Sequence, residues 1–183
     1  MNDELSDSEL LEKFRIKSTR NYAFHLLVTK YQKRVYWQVR RIIIDHDDAN
    51  DVVQNVFIKV WKNLDGFKET SQLYTWLFRI TTNESLTFLK QRRATLYMPF
   101  ESVERGLARK LTDDNFFSAD EIEKKLQNAI LTLPEKQRIV FNMRYYDETP
   151  YEQMAEILET SVGALKASYH HAVKKVEDFL KNN

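Results

Sequence analysis

The chain contains no cysteine, which excludes disulfides and thiolate metal sites, and nothing in it demands an oxidising compartment. Glycine and proline are scarce, three of each in 183 residues, and all six fall where helices are expected to start, stop or be absent. No valine–isoleucine alternation lies between turn signals, so no strand is expected. No apolar run approaches the roughly 18–20 residues of a membrane span. The N-terminal stretch MNDELSDSELLEKF is acidic and polar, unlike a signal peptide. The expectation is therefore a cytoplasmic protein without membrane insertion. Net charge is only +1, which by itself argues against a strongly basic nucleic-acid binder. Its distribution is uneven: the chain up to Met98 is mildly basic, and Pro99 to Leu133 is acidic. No phosphate loop, dinucleotide fingerprint or nucleophile–base pair is visible, so neither cofactor nor catalysis is expected.

Helical periodicity is what the chain does have. Apolar content of 43% and aromatic content of 13% support real cores, and the length suits one large domain or two small ones. The clearest stretch is Asp45 to Phe67, DHDDANDVVQNVFIKVWKNLDGF. Its Val52, Val53, Val56, Phe57, Val60, Trp61 and Leu64 recur at helical spacing and predict one buried face. Asp47, Asp48 and Asp51 crowd its N-terminus, where carboxylates cap free N–H groups, and Gly66 stands where a helix end favours positive φ. Before it, a short helix is expected near Ser6 or Asp7 (Leu10, Leu11, Phe14), and a long one from about Asn21 to Ile44. After it, a helix is expected from about Leu73 to Arg93. From Ala94 to Ala119 the periodicity fades, leaving a linker with room for a short helix around Val103 to Leu111. A second domain begins near Asp120 with Ile122, Leu126, Ala129, Ile130 and Leu133 on its first helix. Pro134 then opens a helix, Thr149 and Pro150 serve as cap and first residue of the next, and Val162 to Leu180 forms the last. The fold class is all-α.

Three surfaces invite a functional reading. On the expected outer face of the Asp45–Leu64 helix, Ile58 lies among Asp51, Asn55, Lys59 and Lys62. It is either an ordinary exposed apolar residue or the anchor of a charged-rim docking face. On the Leu73–Arg93 helix, Arg79, Asn83, Lys90 and Arg93 share a narrow sector that suits a nucleic-acid backbone. Near the C-terminus, Met154, Ala155, Leu158, Leu165 and Tyr169 have the spacing of a helix-turn-helix around Glu159, Thr160 and Ser161. Its second helix displays Ala164, Ala167, His170, His171 and Lys174, with Lys166 and Lys175 flanking, where small residues allow close approach to a groove and cations meet phosphates. A helical hairpin that packs only on its own domain is the alternative. No metal site is expected: capping explains Asp45, Asp47, Asp48 and Asp51, and the adjacent His170 and His171 diverge around the helix.

Taken in order, DANDVVQNVFIKVWKNLDGF, YTWLFRITTNESLTFLKQRR and LPEKQRIVFNMRYY followed by YEQMAEILETSVGALKASYHHA resemble a bacterial RNA polymerase sigma factor of the extracytoplasmic-function (ECF) group of the sigma-70 family. A weaker match, NYAFHLLVTKYQKRVYWQVRRI, extends the likeness toward the N-terminus, so that it covers nearly all of the chain except the linker. The resemblance implies a four-helix region-2-like domain over residues 1–95, a linker over 96–119, and a four-helix region-4-like domain with the helix-turn-helix over 120–183.

It also implies roles. Asp48, Asp51, Gln54, Asn55, Ile58 and Lys62 would dock on the β′ clamp helices of core RNA polymerase, with the β flap as a further contact. Gly66, Phe67, Arg79, Asn83, Lys90, Arg92 and Arg93 would open the minus-ten element and hold its strand. Ser161, Ala164, Lys166, Ala167, His170, His171 and Lys174 would read the minus-thirty-five element. Promoter DNA and an anti-sigma factor complete the implied partners, and no cofactor is implied. The chain departs from the family pattern at Asn55, where Glu is frequent, and at Glu159, where Gly is frequent. A stand-alone helix-turn-helix regulator with a helical sensor domain is the rival expectation.

Overall fold

The structure is a computed structural model that describes residues 5–96 and 121–182; the expected helix around Val103 to Leu111 lies outside the described residues. Within them the chain is helical and no strand occurs. Helix α1 (Asp7–Arg15) opens on a capping box, with the Glu9 amide donating to Ser6 Oγ at 3.3 Å and the Ser6 amide to Glu9 Oε2 at 2.8 Å. The Ser6 hydroxyl, donating to Glu9 Oε2 at 2.7 Å, and after it the Ser6 amide hold the Glu9 carboxyl below its usual range. Helix α2 (Arg20–Ile43) stops where Ile44 swings to φ 69°. With ψ at −46° this is a sparsely populated backbone conformation that costs about 1–3 kcal/mol, and burial of the Ile44 side chain, worth about 1.5–3 kcal/mol, offsets it. Helix α3 (His46–Asn63) starts at Asp45, whose side chain accepts from the Asp48 amide at 2.9 Å, with Asp47 and Asp48 at the positive end of the dipole.

Gly66 does not take the positive φ expected of it. The chain leaves α3 through a short 3₁₀ turn, Leu64–Gly66, and no glycine among the described residues has positive φ. The positive-φ positions are instead Ile44, Glu69, Glu148 and Glu159. Helix α4 (Leu73–Leu96) completes the N-terminal bundle. Its core joins Phe14 of α1, Leu27, Val35 and Val39 of α2, Val52, Val56 and Val60 of α3, and Leu77, Phe78 and Leu89 of α4. Val53 and Trp61 were expected inside with the other α3 residues. Val53 is only half-buried and Trp61 is exposed, because α2 covers the Val52–Val56–Val60 line and leaves its edge open.

The C-terminal part contains α5 (Glu121–Leu131), α6 (Glu135–Tyr145), α7 (Tyr151–Leu158) and α8 (Val162–Asn182). Ala129, Ile130, Leu133, Phe141, Ala172 and Val176 form its own small core. Ile122 was expected on the inner side of α5, yet lies one turn before the covered part and is 75% exposed. Pro134 and Pro150 each stand just before their helix in extended conformation, and Thr149 makes no capping bond but is buried. In the helix-turn-helix, Ile157 is buried with Met154 while Ala155 and Leu158 are half-buried.

The two parts are not separate in space. Helices α6 and α7 pack on α2 and α4, so that Ile139, Val140, Met143, Met154, Ile157 and Leu165 extend the N-terminal core. Arg41 binds the junction together: its Nη1 meets Asp147 Oδ1 at 2.5 Å, its carbonyl accepts from Asn142 Nδ2 at 3.3 Å, and its guanidinium lies 4.4 Å from the Tyr146 ring centre. Burial nevertheless raises the Asp147 carboxyl, against the pull of Arg41, and raises the Tyr146 hydroxyl as well.

Candidate nucleic-acid and protein interfaces

The open edge of α3 is one wall of a groove. Phe24 and Val28 of α2 face Val53, Phe57, Ile58 and Trp61 of α3 across a space of about 540 Å³, with Gln32 and Gln54 at its polar margin. Trp61 is fixed by edge-on contacts with Phe14 and Phe24, ring centres at 5.3 and 4.9 Å. Ile58, half-exposed at 50%, is therefore no isolated apolar residue among charges. It closes the groove, and Asp51, Gln54, Asn55 and Lys62 surround it in solvent. Asp48, expected with them, turns the other way and pairs with Arg92 of α4. Periodicity alone could not show the groove, because half of it comes from α2.

A second cavity, about 410 Å³, lies where the loop after the 3₁₀ turn meets α4. Gly66, Phe67, Lys68, Thr70, Ser71, Thr75, Trp76 and Arg79 line it, and Glu156 of α7 reaches its rim. Phe67 is buried and forms part of the wall, its ring centre 5.1 Å from that of Trp76. The sequence pointed to Gly66, Phe67, Arg79, Asn83 and Lys90, and not to Trp76. The loop folds back over the first turn of α4 and so makes Trp76 part of the cavity. Lys68, Ser71 and Thr75 were not singled out as site residues, and no spacing signal marked them. Asn83 and Lys90 are exposed farther along α4. Arg92 is committed to Asp48, and the Arg93 side chain lies outside the described residues. The cavity offers an aromatic wall, hydroxyls and cations together, a combination suited to an unstacked base and its phosphate.

The third surface is α8. Ser161, Ala164, Lys166, Ala167, His170, His171 and Lys174 are all exposed, while Leu165, Ala172 and Val176 are buried. Ser161 has a structural duty too, accepting from the Ala164 amide at 3.2 Å. Glu159 bridges α7 and α8 in left-handed conformation, φ 50°, ψ 47°. Among the described residues no cluster of carboxylates and histidines could hold a metal ion, and no helix is long and apolar enough to cross a membrane.

Sigma-70 region 2 matches residues 27–95 and Sigma-70 region 4 matches residues 123–176. The ECF RNA polymerase sigma-E factor of Escherichia coli K12 is 30% identical over 186 residues, spanning 97% of this chain and 96% of that protein. The chain belongs to the ECF sigma factors. The sigma-E factor of Haemophilus influenzae is also 30% identical, over 97% of each chain. Among solved structures, CnrH in complex with the cytosolic domain of CnrY is similar with a TM-score of 0.69 at 23% identity, covering 97% of this chain and 99% of that one. The sigma factor RpoE of Bartonella quintana, solved with the anti-sigma factor NepR, reaches 0.66 at 22% identity over 86% of this chain and 96% of that one. Membership of the ECF group agrees with the all-α reading and makes the chain an alternative sigma factor acting in transcription initiation. The stand-alone regulator is not favoured.

Proposed function

We propose a division of labour over this ECF sigma factor. Residues 1–95 bind core polymerase and the minus-ten element, and residues 120–183 read the minus-thirty-five element. The α2–α3 groove, with Ile58 and Trp61 as anchors and Asp51, Gln54, Asn55 and Lys62 as rim, takes the β′ clamp helices. The cavity beside Arg79 takes a base drawn out of the minus-ten duplex, and Asn83 and Lys90 follow the strand along α4. Unstacking a base costs a few kcal/mol, which stacking on the Phe67–Trp76 wall and contact with Arg79 repay. Helix α8 enters the upstream major groove with Ala164 and Ala167 closest, and Lys166 and Lys174 on phosphates. The protein itself catalyses nothing; polymerase forms the phosphodiester bonds. It works where polymerase is, in the cytoplasm, and an anti-sigma partner restrains it; the Bartonella quintana RpoE, similar in fold, was solved in complex with an anti-sigma factor.

The observation that supports this reading most is the cavity, because it brings loop and helix residues into one aromatic and cationic recess. The experiment is reconstituted transcription with core polymerase and genomic promoter fragments. Initiation at a defined set of start sites, dependent on the added protein, is the expected result. Equal transcription with and without it would refute the proposal.

A further inference from the structure

The loop that folds over the first turn of α4 carries two carboxylates, Asp65 and Glu69, beside a cavity assigned to an anionic strand. Both are engaged from α1 and the start of α2: Glu69 pairs with Arg15, and Asp65 with Arg20. Little else holds this loop. From Lys68 to Ser71 it makes no backbone hydrogen bond to another described residue, although Lys68, Thr70 and Ser71 all line the cavity. Glu69 also sits at φ 56°, which glycine takes without penalty and a residue with a Cβ does not. A glutamate kept at such a position points to a side chain in use. The two arginines stand on a firm base. Phe14, next to Arg15, is buried, and the Thr19 hydroxyl ties the turn between α1 and α2 by donating to the Lys13 carbonyl at 2.7 Å. The Arg20 guanidinium lies 4.4 Å from the Phe14 ring centre and 5.6 Å from that of Trp61.

We propose that Arg15 and Arg20 are positioning residues for strand capture. Neither lines the cavity; they hold the loop from Asp65 to Ser71 so that Lys68, Thr70 and Ser71 share one recess with Trp76 and Arg79. The inference rests on the reading of that cavity as the seat of an unstacked base. The anchors act in two ways. A loop ordered in advance loses no further freedom when a base enters, whereas a loose one must be ordered at that moment. Charge is the second effect: a bare carboxylate beside the strand repels its phosphates, while an acid bound to an arginine presents a neutral pair. The Arg15–Glu69 pair is exposed and individually weak. Arg20, held against two aromatic rings, is already oriented toward Asp65 and makes the stronger anchor.

The test uses the full chain bound to core polymerase, with a short fluorescein-labelled strand spanning the minus-ten element of a promoter mapped with this protein. Each base is removed in turn to leave an abasic sugar, and the ratio of intact to abasic affinity measures capture of that base. A change in general electrostatics moves both affinities alike and leaves the ratio as it was. In the parent, one position should give a ratio on the order of tenfold. Arg15→Glu should cut it about threefold. Arg15→Glu combined with Glu69→Arg restores the pair with its charges exchanged and should bring the ratio back to that of the parent. Arg20→Met keeps apolar cover on Phe14 and Trp61 but releases Asp65, and should cut the ratio at least as far as Arg15→Glu does. A ratio unchanged in both Arg15→Glu and Arg20→Met overturns the proposal, as does a loss that the exchanged pair fails to recover. If no position in the parent distinguishes intact from abasic strand, the reading of the cavity fails first and takes the anchors with it.

Discussion

Ile58 offers the sharpest test of the docking groove. The side chain is 50% exposed, so a partner laid in the groove buries roughly half of what a full isoleucine burial is worth, about 1 kcal/mol. Ile58→Ala should then weaken binding to core polymerase about fivefold. Ile58→Asp adds the cost of a carboxylate pressed into apolar contact, about 2 kcal/mol or more, and should weaken it on the order of a hundredfold. Both changes also remove the half of Ile58 that is already covered in the free protein, so the unfolding free energy should fall by about 1 kcal/mol in each. Trp61→Ala goes further. It deletes the edge contacts to Phe14 and Phe24 and should lower stability and core affinity together. Titration of labelled protein with core polymerase, paired with a thermal melt of each variant, separates the two effects. Core affinity of Ile58→Asp equal to that of the parent would refute the reasoning and return α3's outer face to ordinary solvent.

Arg79→Ala with Asn83→Ala should slow promoter opening, read by permanganate reactivity of unpaired thymines, while core affinity stays within twofold; equal loss of both would mean that α4 faces polymerase. Lys166→Ala and Lys174→Ala should each reduce the salt dependence of upstream duplex binding by about one unit of slope, without changing sequence preference. A preference that shifts would show base contact instead. Burial raises the Asp147 carboxyl above its ordinary 3.8, so the folded protein binds that proton more tightly than the unfolded chain. Its contribution to stability is full below 3.8 and is lost as pH climbs through the raised pKa. Denaturant unfolding followed upward from pH 3.8 should show that loss, and Asp147→Asn should remove that part of the slope.

The helices were legible because burial on one side of a helix leaves a 3.6-residue rhythm, and the α2 stripe and the Val52–Val56–Val60 line kept it. The ends were less so. Gly66 carried a signal for positive φ that the 3₁₀ turn did not use, while Ile44 took such a conformation because its side chain gained burial. Arg79, Asn83 and Lys90 could be picked out as a row of two cations and an amide on one element. The groove and the cavity could not, since each is made by two segments whose meeting no single helical period encodes. The same limit hid Asp48 and Arg92 in each other's company, and hid the packing of α6 and α7 on the N-terminal bundle.

The chain has three tryptophans, and two of them stand at proposed contact surfaces. Trp61 edges the α2–α3 groove and Trp76 walls the cavity beside Arg79; the third, Trp37, lies on α2 beside Tyr36. Intrinsic emission thereby becomes a two-channel reporter in unlabelled protein. Loss of water around Trp61 shifts its colour to the blue, whereas a base stacked near Trp76 quenches it. With phenylalanine in place of one indole at a time, the arrival of polymerase and the capture of the strand acquire separate optical signatures.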